Sequence, residues 1–206
     1  MKKILFGFWL LSLLVLFGCQ KNNPESCPVN GTGYSCSPET VTLSLDLVES
    51  GILNALKNKD VEALITFVSE DWVRFSPYSY VNTGMDITLS KSELTWLRNS
   101  GTVKEWWNYD GSGEPILLTM SGYLENFVYD VDFLTAPEKF VNDKKERWNT
   151  INNAFEIYSG ATLVEYYFSG FDMQYEWMDW RSLMLVLKKY WTEWKLIWII
   201  HGQRTI

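Results

Sequence analysis

The sequence predicts an α+β domain, with helices from its first half packed on one face of a curved antiparallel sheet built from its last quarter. Three observations carry that expectation. Residues 44–68 place apolar side chains at helical spacing. Residues 162–168, 181–190 and 195–201 are runs rich in β-branched and aromatic residues. The last two runs pair as a hairpin that is apolar on both faces near its centre, and such a strand must be covered twice.

The chain opens with Lys2 and Lys3 and an apolar run from Ile4 to Phe17. A membrane span needs about 20 apolar residues, so the run suits a secretory signal better. It ends in Leu16-Phe17-Gly18-Cys19. That stretch resembles the bacterial lipobox, with the bulky Phe17 a departure from the small residue usual there. The resemblance implies cleavage after residue 18 and acylation of Cys19, which would anchor the chain in a lipid bilayer of the cell envelope. The alternative is an ordinary signal peptide with a chance cysteine. Residues 19–40 have the Asn, Pro, Ser and Gly content of a tether. In an oxidising compartment Cys27 and Cys36 are expected to form a disulfide, because two thiols with no nearby histidine make a poor zinc site. The domain itself is expected over residues 41–206.

Within the domain, Val48, Ile52, Ala55 and Leu56 share a helical stripe. Asp60 is a fresh N-cap for Val61, Leu64, Ile65 and Val68. Residues 73–78 (VRFSPY) are an edge or terminating strand, because Pro77 ends any ladder. Ser90 and Glu93 make a capping box before a helix with Leu94, Trp96 and Leu97. KEWWNYDGSGEPILL is two extended segments around a glycine-rich turn. Thr119 opens a helix that carries Tyr123, Leu124, Phe127 and Val128. A further helix is expected over INNAFEIY, with Ile151, Phe155 and Tyr158 on one side. In the C-terminal hairpin, a Thr192-Glu193 turn sets Leu187 opposite Trp198, Leu185 opposite Ile200 and Met184 opposite His201. By alternation, His201 then shares a face with Ile199, Ile197, Met184 and Val186.

Loss of the leader removes two of 18 basic side chains and none of the 25 acidic ones, leaving about nine excess negative charges. That balance excludes nucleic acid as a partner and disfavours electrostatic docking on anionic lipid. Eleven each of Trp, Tyr and Phe supply large buried areas and also suit a ligand pocket or glycan surface. No Gly-x-Ser-x-Gly, Walker or dinucleotide motif occurs, so no cofactor is expected.

The order helix, helix, strand, then a C-terminal antiparallel sheet resembles the cone-shaped nuclear transport factor 2-like fold, which also includes ketosteroid isomerase and scytalone dehydratase. ALKNKDVEAL, VRFSPY, YDGSGEPI, FVYDVDF, NTINN, MDWRSL and IIH resemble segments of a group of uncharacterised bacterial lipoproteins. The resemblance implies a small anchored domain with a pocket and carries over no activity. Ser69 stands where that group would have a histidine, and Met184 where it would have a polar residue.

His201 is the only histidine. Its bland reading is a satisfied structural group. The functional one pairs it with Asp179 or Glu165 for acid–base work beside an apolar wall. Asp179 and Arg181 lie two apart and share a strand face. They form an ion pair, or Arg181 clamps a carboxylate or phosphate ligand; Arg74 is a second cation in an apolar segment. Asp110-Gly-Ser-Gly-Glu114 has the first three oxygen ligands of a calcium loop, but Pro115 stands where that loop needs glycine. A turn is the economical reading, with Asp110 and Glu114 at the rim of the cone. No metal is expected. Together these features point to a membrane-anchored extracytoplasmic lipoprotein that binds a small ligand or an envelope protein. The alternatives are a cone-fold isomerase, dehydratase or hydrolase, and a structural module that forms homo-oligomers through its two-sided hairpin.

Overall fold

The computed structural model describes residues 43–147 and 150–204. The expected leader, the expected acylation site Cys19 and the expected Cys27–Cys36 disulfide lie outside the described residues. None of the described helices is long and apolar enough to cross a membrane.

The helical half forms where local signals place it. In α1 (Leu45–Lys57), the Ser44 hydroxyl accepts from the Leu47 amide, and Val48, Ile52, Ala55 and Leu56 are buried. Asp60 caps α2 (Val61–Phe67) by accepting from the Ala63 amide. β1 (Val73–Ser76) stops one residue before Pro77, as a residue without an N–H requires. After β2 (Ile87–Leu89), α3 (Lys91–Ser100) begins with the full Ser90–Glu93 capping box. It buries Leu94 and Leu97 but turns Trp96 to solvent. β3 (Lys104–Asn108) and β4 (Pro115–Leu118) form a separate antiparallel ribbon. Gly111 and Gly113 hold positive φ in its turn, the conformation that glycine adopts without strain. Thr119 then caps α4 (Met120–Phe127), whose buried side includes Tyr123 and Leu124.

The main sheet runs β2-β1-β8-β7-β6-β5, with β5 at Glu138–Val141, β6 at Thr162–Phe168, β7 at Arg181–Tyr190 and β8 at Glu193–Gln203. It is mixed and not purely antiparallel as expected, because β1 pairs parallel with β8. A parallel pair needs a long crossover, and here residues 77–192, from β2 to β7, lie between the two strands. The short edge strands β2 and β5 carry no strand pattern of their own and form by pairing with β1 and β6.

The hairpin register also departs from expectation. Tyr190 pairs with Glu193, so the turn is Trp191-Thr192, with Trp191 at φ 54. Leu187 faces Leu196, Val186 faces Trp198, Leu185 faces Ile199 and Leu183 faces His201. Between the first two pairs Ile197 is left without a partner, a β-bulge that reverses the alternation of everything beyond it. One face therefore presents Leu183, Leu185, Leu187, Leu196 and Ile199 to the helices, in a core with Ile52, Leu56, Leu64 and Tyr123. The other presents Met184, Val186, Ile197, Trp198 and Ile200.

That second face is covered by Val81 and Ala154, with Phe155 and Tyr158 packed against it. The helix expected there is a single turn, α5 (Ala154–Ile157), and Ile151 is 67% exposed. What holds the cover is Asn153, whose amide accepts from the Val81 N–H at 2.8 Å and donates to the Val81 carbonyl at 2.9 Å.

Candidate functional site

The two arginines in apolar segments, Arg181 and Arg74, are expected to be answered by internal carboxylates, and one of them is. Arg181 donates through Nε to Asp130 Oδ2 at 2.7 Å. Arg147 grips Glu165 with both Nη atoms, at 2.6 and 2.9 Å, and stacks 3.9 Å over Tyr167. Arg74 differs. Among the described residues no carboxylate lies within ion-pairing distance of it, and its buried Nε has no acceptor. Its guanidinium lies 4.2 Å over the Trp198 ring and 5.3 Å from that of Trp72, a cation–π setting. Tyr158 meets Trp198 edge-on at 4.4 Å. Arg74, Trp72 and Tyr158 are each only partly buried.

β1 builds this arrangement by alternation. Arg74 and Ser76 point the same way, and the parallel register sets Arg74 beside Trp198. The bulge is what turns Trp198 to this face. Trp198 Nε1 donates to Ser76 Oγ at 2.7 Å, and Ser76 donates to Asp86 Oδ2. The Asn82 amide donates to the same carboxylate oxygen at 3.1 Å. Burial raises the Asp86 carboxyl to about 6, against the pull of Ser76, Asn82 and Arg74. The group is thus a partly open guanidinium on an indole floor beside Tyr158, with no carboxylate paired to it among the described residues and a buried carboxyl two hydrogen bonds from the indole. A guanidinium so placed can hold a carboxylate, sulfate or phosphate.

The other predicted residues are used by the fold. His201 is fully buried and faces the helices with Ile199 and Leu183, apart from Ile197, Met184 and Val186, because the bulge reverses its side. It meets neither Asp179 nor Glu165. Its Nε2 is 3.1 Å from Asp130 Oδ1, without the alignment of a good hydrogen bond, and its Nδ1 is 3.3 Å from the Pro77 carbonyl. Burial opposes the Asp130 charge, but His201 and Arg181 outweigh it and hold the carboxyl below the usual Asp range. Asp179 turns from the predicted ion pair. Its Oδ2 accepts from the Phe171 and Asp172 amides at 3.1 and 2.9 Å, and Arg181 meets only the Asp179 carbonyl, at 3.3 Å. Asp110 and Glu114 are exposed at the ribbon turn, where the Asp110 amide donates to the Tyr78 hydroxyl.

Ser69 and Met184 are both built into the fold. The Ser69 hydroxyl closes the turn before β1 by donating to the Trp72 carbonyl and accepting from its amide, and Met184 is buried on the second face. Asp130, Asp86 and Arg147 gave no signal in sequence, because each finds its partner across a fold whose register local patterns do not encode. The chain matches no family model, no curated protein and no solved structure.

Proposed function

We propose that the protein is an exported, lipid-anchored lipoprotein of the bacterial envelope whose cone-like domain binds a small anionic ligand at Arg74 without transforming it. The Arg74 guanidinium, with no carboxylate partner among the described residues and no acceptor for its buried Nε, carries the reading. A buried polar nitrogen without an acceptor costs on the order of 1–3 kcal/mol, and a carboxylate, sulfate or phosphate over the Trp198 floor would supply the missing charge. The lipobox-like Cys19 supports the anchor. The order of helices and strands, with helices on one face of the sheet, supports the nuclear transport factor 2-like cone. Catalysis at His201 has less support, since the ring is enclosed and its nearest carboxylate is engaged with Arg181.

Calorimetry of the full chain in detergent with benzoate, a flat carboxylate, and with sulfate tests the binding. Wild type is expected to bind at least one of them, and R74Q to weaken that binding about tenfold or more while melting like wild type. Equal binding by R74Q would overturn the assignment. The anchor is tested separately by intact-mass measurement. Wild type is expected to carry acyl chains, while C19S is recovered unacylated in the aqueous fraction.

A further inference from the structure

We propose that the Arg74 site takes up a proton together with its anion, and that Asp86 is the group that receives it. This rests on the anion-binding reading of Arg74 and adds a regulator to it. The geometry is a continuous path. Asp86 Oδ2 accepts from Ser76 Oγ, which accepts from Trp198 Nε1, and the Trp198 ring lies under the Arg74 guanidinium. Arg74 and Ser76 are alternate residues of β1 on one face, so the carboxyl and the guanidinium belong to one patch without forming an ion pair. Asp86 is buried. It is close enough for the charge of Arg74 to act on it and too far to be neutralised by it.

The direction of the coupling follows. An anion seated on Arg74 screens the cation that helps Asp86 stay ionised and adds a second negative charge beside it. Both effects favour the protonated carboxyl. By linkage, a protonated Asp86 removes a repulsive charge and strengthens anion binding. Burial raises the carboxyl to about 6, inside the range where the exchange can be followed. The groups that face Asp86 leave it as the titrating one. From β1 these are Arg74 and Ser76, and from the following turn the Asn82 amide. Tyr123 on α4 and Tyr158 after α5 also sense its charge. Burial pushes both phenols well above their usual range, so neither ionises where Asp86 does.

The experiment is calorimetry of benzoate on the full chain in detergent, in two buffers of different ionisation heat, between about pH 8 and about pH 5. Wild type is expected to take up part of a proton per anion in mid-range, and to bind roughly tenfold more tightly at the acid end. D86N is expected to bind at the acid-form affinity throughout, with no buffer-dependent heat. Benzoate binding that is lost in R74Q but has the same affinity and heat in every buffer and pH would overturn the coupling and leave the Arg74 site standing. Absence of any Arg74-dependent binding would overturn both. If D86N does not fold, the wild-type proton count decides alone.

Discussion

Arg74 and Arg181 lie in apolar strand segments and Arg147 in a charged run, and the three differ in what faces them. Glu165 and Asp130 answer two of them, and the third lies over indole rings. Asp86, whose carboxyl senses the charge of Arg74, forms no ion pair with it, so burial governs its proton. The Asp86 carboxyl rises from the ordinary 3.8 to about 6. Between those values the folded state holds a proton that the unfolded chain has released, so stability falls as pH rises through that window and levels off above it. Allowing for solvent screening, the loss is on the order of 2 kcal/mol. Urea midpoints measured across the window are expected to fall for wild type and to be flatter for D86N. An equal slope in both would remove Asp86 as the cause.

At the scale of elements, helices and strands were legible to different degrees. The caps at Ser44, Asp60, Ser90 and Thr119 and the stripes that follow them rest on contacts three or four residues apart, so reading along the chain finds them. The hairpin was legible as two strands but not in register, because the bulge at Ile197 adds one residue to one strand only. From that single residue follow the burial of His201 among the helices and the placement of Trp198 under Arg74. The far end of β8 is held by close packing. A Cβ on Gly202 would lie 2.2 Å from Ser182 Oγ and 2.9 Å from Ser79 Oγ. G202A is therefore expected to lose about 1–3 kcal/mol, with part restored by adding S182G. Matching urea curves for G202A and wild type would contradict that packing.

For the whole molecule, the two-sided apolar hairpin had suggested a second copy of the chain as its cover. The chain supplies the cover itself through Val81, Ala154, Phe155 and Tyr158, pinned by Asn153. The sheet ends in short strands at both edges, and β5 exposes three of its four residues, which gives little template for edge pairing. Residues 20–206 expressed without the leader are accordingly expected to run as a monomer in light scattering. A stable dimer at micromolar concentration would show that another surface pairs the chains.

By itself the sequence determined the α+β class, the helix starts, the strands of the C-terminal quarter and the cations worth watching, because caps, periodicity and β-branched runs act between near neighbours. Only the tertiary structure decided the parallel β1–β8 pair, the side on which His201 and Trp198 fall, and which arginine is left unanswered. Arg74 and Trp198 are brought together by strand order and one bulge. Asp86 lies ten residues from Ser76, and only the β1–β2 hairpin makes them partners. Pairings of that kind depend on register, and register is set by packing the whole sheet at once.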